Sequence, residues 1–323
     1  MVGRPSIRKS MADRNAALTP AAPLTPPKKR KKAKQPLKRY AVFFFLPTAA
    51  AFTLAFLAPF LWGIFLSFCE FFTITDATWI GLDNYRRALQ DVGFLYSFGF
   101  SALFTLVTVV LINVAAFFVA YALTRKIRGS NLFRTVFFMP NLIGGIVLGF
   151  IWQILLNGLL GLYGTSLAAS TAYGFWGLVL LTAWQQIGYM MIIYISGLQN
   201  VPHTMLEAAK IDGATSWQTL RKVIIPQVRP SITICTFLTL TNSFKLYDQN
   251  AALTPNSLPY KILEDGSHIK TTATIAKNIV DQFNENYFGT DGIAQAKSIL
   301  FFLVVVVIAL LQLYFTRKKE ESA

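Results

Sequence analysis

Residues 298–316 read SILFFLVVVVIALLQLYFT, a run without Asp, Glu, Lys or Arg that Arg317, Lys318 and Lys319 close. As a helix such a run rises about 28 Å at ~1.5 Å per residue, close to the ~30 Å hydrocarbon core of a bilayer. It is not alone. Tyr40–Cys69 and Val92–Thr124 are equally free of charge, and Thr135–Leu206 is charge-free over more than one helix length. Asn157–Ser170, with Gly158, Gly161, Gly164 and Ser166, reads as the turn that divides it. Pro230–Phe244 is a shorter apolar run that ends in polar residues.

These runs predict an all-α integral membrane protein with six spans, near 41–68, 96–123, 134–156, 174–199, 230–247 and 298–316. Residues 40–317 form the membrane domain. A basic cytoplasmic tail, 1–39, precedes it; its first 35 residues, rich in Pro, Ala and Lys, are expected to be disordered. A short cytoplasmic tail, 318–323, follows. Composition agrees: 54% of residues are hydrophobic, mean hydropathy is +0.48 and only 14% are charged, against ~25% in soluble proteins. Apolar surface in that proportion needs lipid to cover it.

The net charge of +15 does not point to nucleic acid, because Lys and Arg sit at the chain ends and between apolar runs. Their placement orients the chain instead. Lys28-Lys29-Arg30-Lys31-Lys32 precedes the first span, Arg125, Lys126, Arg128 and Arg134 follow the second, and Lys210, Arg221, Lys222 and Arg229 follow the fourth. The alternate loops are poorer, and in the external loop 248–297 acids outnumber lysines. Both termini are therefore expected in the cytoplasm. The first apolar run exceeds the h-region of a cleaved signal peptide, so it reads as a retained helix. The adjoining basic run reads as a positive-inside anchor attracted to anionic lipid, rather than a nuclear address. Two cysteines, Cys69 and Cys235, and two histidines, His203 and His268, are too few for a disulfide framework or a histidine metal centre.

The cytoplasmic loop 200–229 has a structure of its own. Pro202 suits a first helical turn, and 205–212 forms helix readily. Gly213 supplies a left-handed terminus, Thr215 or Ser216 can cap a second helix, and Pro226 stops it. The outcome is a helix–glycine turn–helix in which Ala208 and Ala209 leave one side nearly bare for a partner surface.

Glu207-Ala208-Ala209, Gly213 and Val223-x-Ile225-Pro226 resemble the EAA loop of binding-protein-dependent ABC importer permeases, with Val and Ile standing where its pattern has Ile and Leu. Trp79-Ile80-Gly81-Leu82-Asp83-Asn84-Tyr85, Leu132–Pro140 and Asn242-Ser243-Phe244-Lys245-Leu246-Tyr247-Asp248 are similar to segments of that family's carbohydrate branch, maltose-type first permease included. Pro255-Asn256-Ser257 departs from the branch's Gly-Gly-Pro turn. The resemblance implies the type I importer permease fold and a bacterial inner membrane location. It implies uptake of a sugar or oligosaccharide as a heterodimer with a homologous permease. The other partners implied are an extracytoplasmic solute-binding protein and a cytoplasmic ATPase dimer. On that reading this chain binds no cofactor, and ATP and Mg belong to the ATPase. Glu207, Ala208, Ala209, Asp212, Gly213, Val223, Ile225 and Pro226 would form the coupling element. A DNA-binding helix-turn-helix fits poorly between two membrane spans.

A polar solute crossing a bilayer needs hydrogen-bonding groups at mid-membrane. Trp184, Gln185, Gln186 and Tyr189 in the fourth span, and Thr239, Thr241, Asn242 and Ser243 in the fifth, are candidates for the pathway; interhelical hydrogen bonding is their alternative use. Lys245 and Asp248, three apart, would share a helix face near the outer boundary, as a structural ion pair or as a gate. Residues 272–284 predict a short external helix. There is no phosphate-binding loop, so the energy must come from another chain. Neither a nucleophile–base arrangement nor a metal constellation stands out. A permease for a non-sugar solute, or an ion-coupled carrier, are the rival readings; the second would call for buried carboxylates and an internal repeat.

Overall fold

The computed structural model describes residues 37–321 except Phe72, Ile74, Lys126, Ile127, Asp265, Ser267 and 285–289. Most of the basic tail expected to be disordered, with Lys126, Asp265 and Glu285 of the charge pattern, lies outside the described residues. Two units are distinguished. The first ends at Leu57; its described part is helix α1 (Leu37–Phe52) continued by a π turn, Thr53–Leu57.

The second unit begins with α2 (Ala58–Leu66). Strand β1 (Cys69–Glu70) pairs antiparallel with β2 (Thr78–Trp79), followed by α3 (Asp83–Gln90) and the long α4 (Val92–Thr124). Helix α5 (Ser130–Phe138) tightens into a 3-10 turn, Met139–Leu142, before α6 (Gly145–Gly161) and α7 (Thr171–Gln199). The 200–229 loop holds α8 (His203–Ile211), α9 (Ser216–Thr219), a π turn Leu220–Ile224 and α10 (Ile225–Gln227). Then come α11 (Arg229–Phe244), α12 (Asp248–Leu253), a hairpin of β3 (Tyr260–Ile262) and β4 (His268–Lys270), α13 (Ile275–Phe283) and α14 (Thr290–Glu321).

Four helical runs are each long and apolar enough to cross a membrane: Phe45–Leu66, Val92–Thr124, Thr171–Gln199 and Thr290–Tyr314. The third expected span is not a single straight helix, and the fifth is one helix, Arg229–Phe244, that the loop before it enters at a bend. Ser130–Leu142 and Gly145–Gly161 meet at 99°, and Ser216–Gln227 and Arg229–Phe244 at 70°, making six spans if each bent pair crosses once. Pro140, which lacks an N–H, and the side-chain-free pair Gly144-Gly145 mark the first bend. The fifth helix stops at Phe244 instead of 247. There the buried Leu246 turns into the core, and its freed carbonyl accepts a hydrogen bond from Thr274 Oγ1 at 2.7 Å.

α4 and α7 make the heart of this unit, packing Ile112, Phe117, Met190 and Tyr194 into one core cluster. α4 is bonded to α11 by two polar rungs, Thr108–Ser243 at 2.9 Å and Asn113 to Thr239 at 3.3 Å. α5 lies so close to α7 that a Cβ on Gly188 would sit 1.8 Å from the carbonyl oxygen of Phe137. The short helix expected within 272–284 is present as α13, packed on α4 and α14.

Candidate functional site: a mid-helix cleft and a capped loop

The 200–229 loop folds by local rules. α8 starts behind Pro202 and ends in a Schellman turn: Gly213, at φ +72°, donates its N–H to Lys210 O (3.2 Å), and Ala214 N–H reaches Ala209 O (3.0 Å). α9 opens with a capping box, in which Gln218 N–H donates to Thr215 Oγ1 (3.3 Å) and Thr215 N–H to Gln218 Oε1 (2.8 Å). The helix passes Pro226 and ends at Gln227, one residue later than expected. The π turn before Pro226 loosens the backbone ladder in which a proline N–H would be missing. Ala209, Leu220 and Ile224 root the loop in the protein, whereas Glu207, Ala208, Asp212 and Gly213 are exposed. Val223, Ile225 and Pro226 are half-buried. Sequence reasoning missed Ile211 and Trp217, which flank the turn and stand 85% and 63% exposed. Leu206 and Leu220 already supply the inward face, so these two are left exposed.

The two helix breaks converge on one cleft. Met139–Leu142 contributes Asn141, the break after α11 contributes Lys245 and Tyr247, and α7 contributes Gln185 and Gln186; Asn242, Asp248 and Gln249 complete the wall. Its volume is about 320 Å³. Gln185 clamps it, donating from Nε2 to Ile143 O (3.3 Å) and accepting from Gln249 Nε2 (2.7 Å). α12 is seated in a notch of α6, where a Cβ on Gly145 would come within 2.8 Å of Asp248 and one on Gly149 within 2.5 Å of Ala252. Gln186 is buried, yet its Oε1 has no partner. An orphaned acceptor beside a cleft can accept a hydrogen bond from a ligand hydroxyl.

Depth follows from α7. Gln185 and Gln186 are near its midpoint, and its 29 residues rise about 43 Å at ~1.5 Å each, beyond a ~30 Å core at both ends. The cleft thus lies level with the middle of a helix long enough to cross a bilayer. Lys245 and Asp248, expected near the outer boundary, stand level with that midpoint. α11 starts level with the end of α7, where Ser231 meets Gly197, so part of its rise is spent outside the core. The expected pair is also absent: the chain leaves the helix between Lys245 and Asp248, and they form no ion pair.

The other pathway candidates scatter. Thr239 and Ser243 are fully buried in the rungs to α4, and Thr241 Oγ1 bonds back to Phe237 O and Leu238 O. Trp184 faces outward, edge-on to Trp152 at 5.6 Å, and Tyr189 packs against the core cluster. Only Gln185, Gln186 and Asn242 join Lys245 and Asp248 at the cleft. Asn141 and Gln249 were missed: one sits in a break read as continuous helix, the other in a segment read as external loop.

Residues 123–321 match the family described as binding-protein-dependent transport system inner membrane component. The chain belongs to that family. The permease is 40% identical over 288 residues to the probable starch degradation products transport system permease protein AmyD of Thermoanaerobacterium thermosulfurigenes, covering 86% of this chain and 94% of that one. It is 28% identical to the multiple sugar-binding transport system permease protein MsmF of Streptococcus mutans, covering 88% and 93%. Its fold matches that of a chain in a bacterial alginate ABC transporter solved with an alginate pentasaccharide-bound periplasmic protein. The TM-score is 0.70 at 16% identity, over 90% of this permease and 99% of that chain.

Proposed function

We propose that this permease is the membrane subunit of an ATP-driven importer that takes a sugar or oligosaccharide from an extracytoplasmic binding protein into a bacterial cell. The observation that carries the reading is a mechanical connection. α9 and α10 run into α11 across the single residue Val228, and Asn242 and Lys245 of the cleft stand at the far end of α11. A force applied around Gly213 therefore reaches the cleft along one unbroken stretch of chain, through two helical segments that meet at a 70° bend. The partner applying it is a cytoplasmic ATPase dimer that carries ATP and Mg, against which Glu207, Ala208, Ile211 and Trp217 pack. This chain itself catalyses no reaction. A second, homologous permease closes the pathway.

Solute chemistry is read from the cleft's amides. Asn141, Gln186, Asn242 and Gln249 offer donors and acceptors of the kind that replace water around sugar hydroxyls. The names of the relatives AmyD and MsmF, which refer to starch degradation products and multiple sugars, support a carbohydrate.

The test is uptake of labelled maltotriose, supplied on its binding protein, into vesicles containing the complex purified from native membranes. Uptake should require ATP on the loop side and vanish in Glu207→Lys protein that remains in the membrane. Uptake by this chain alone, driven by an ion gradient without ATP, would refute the importer in favour of an ion-coupled carrier.

A further inference from the structure

Lys245 and Asp248 are both exposed, line one side of the cleft, and have no hydrogen-bond or ion-pair partner for their side chains among the described residues. They are level with Gln185 and Gln186, in the middle of α7. Charges at that depth are tolerated only when they face a cavity or a partner. The geometry rules out their pairing along one helix turn, because α11 ends at Phe244 and α12 begins at Asp248. α12 is also held in place by the glycine notch of α6 and by Gln249 on Gln185, so it does not swing to bring the two together.

A surface that presents one cation and one anion side by side is complementary to itself under a two-fold rotation: the cation of each side meets the anion of the other. We propose that Lys245 and Asp248 form two reciprocal ion pairs with a second permease subunit of the same fold, homologous to this chain but distinct from it. Lys245 donates to the partner's carboxylate and Asp248 accepts from the partner's ammonium, across the open side of the cleft. The pairs would neutralise both charges, hold the two cleft halves in register and leave the amides, Gln186 Oε1 above all, for the solute. The cleft in this chain is then half of a site. This inference rests on the permease reading above and adds what joins the two subunits.

The test is charge exchange in the assembled complex. Lys245→Asp and Asp248→Lys should each reduce recovery of the second permease with the tagged chain at least tenfold. The double exchange should be no better than either single one. Reversing both charges at the matching positions of the partner should then restore recovery and uptake. Recovery by the double exchange in this chain alone would overturn the proposal, because it would mean that the two residues pair with each other or with an identical copy. Single exchanges that leave recovery and uptake unchanged would overturn it too. A chain that never brings down a second permease or an ATPase would instead refute the function proposed above, so the two failures are distinguishable.

Discussion

Asp91 and Lys297 tie the first turn of α4 to the first turns of α14: Lys297 Nζ donates to Asp91 Oδ2 at 2.5 Å across 206 positions of sequence. The other oxygen of Asp91 caps α4, accepting from Gly93 N–H (2.8 Å) and Phe94 N–H (3.2 Å). Lys297 is 1% exposed; it also donates to Gln282 Oε1 at 2.5 Å and stands 5.6 Å over the Phe94 ring. One carboxylate thus serves a helix end and a buried cation together.

The two partners are not equivalent, and substitution should show it. Asp91→Ala strands a buried ammonium and removes the cap, a loss of about 3–5 kcal/mol for the charge and ~1 kcal/mol for the cap. Lys297→Met leaves Asp91 capping α4 with its side chain 33% exposed to water, so it should cost much less. Thermal unfolding of the purified variants in detergent decides it. A lower midpoint for Lys297→Met than for Asp91→Ala would contradict the asymmetry.

The close approach of α5 and α7 makes Gly188 a sharp test of the helix packing. A Cβ there would meet the Phe137 carbonyl oxygen at 1.8 Å and Phe138 N at 2.8 Å, both backbone atoms that cannot rotate away. Gly188→Ala should destabilise the protein by at least the ~1–3 kcal/mol typical of overpacking. Gly158→Ala, in α6 with open space around it, should be neutral or stabilising by up to ~1 kcal/mol. Equal melting temperatures for the two variants would count against the α5–α7 contact.

Much of this was legible in sequence because the determining interactions are local. Charge-free runs marked the spans, and Pro202, Gly213 and Thr215 marked the ends of α8 and α9, since caps and turns involve residues a few positions apart. The bends at Pro140 and after Phe244 were not legible, because hydropathy averages over them and their freed backbone groups find partners far away, as Leu246 O does in Thr274. The cleft was half legible for the same reason. Gln185, Gln186 and Asn242 lie in recognisable spans, but their meeting with Asn141 and Gln249 depends on those bends. Thr239 and Ser243 have the same residue character as Asn242. Only the helix rotation that turns them to Asn113 and Thr108 assigns them to structure.

The turn of the 200–229 loop separates folding from docking. Gly213→Ala forces a side chain into the left-handed region, at about 1–2 kcal/mol, and should shift the inter-helix angle. Ile211→Ala and Trp217→Ala remove exposed apolar surface and should leave the stability within about 0.5 kcal/mol of the parent. All three should weaken retention of the ATPase during purification. A Trp217→Ala complex that retains the ATPase fully through high-salt washing would remove that residue from the docking surface.

The cleft can be mapped from the native chain's own chemistry. Cys69 and Cys235 are both free and buried, and burial pushes the Cys69 thiol above its ordinary value, which lowers its thiolate fraction at neutral pH. Neither should react quickly with a polar maleimide. A cysteine in place of Asn242, on the open wall of the cleft, should therefore label above a low background, and bound oligosaccharide should protect it. A cysteine in place of Thr239, three positions earlier and sealed against Asn113, should stay unlabelled in the folded protein. Reading both by mass shift separates the open wall of the cleft from the sealed rung to α4. Equal labelling at 239 and 242 would mean that α11 is rotated from the orientation that builds the cleft, whereas labelling at 242 alone, slowed by sugar, would fix Asn242 on the solute's path.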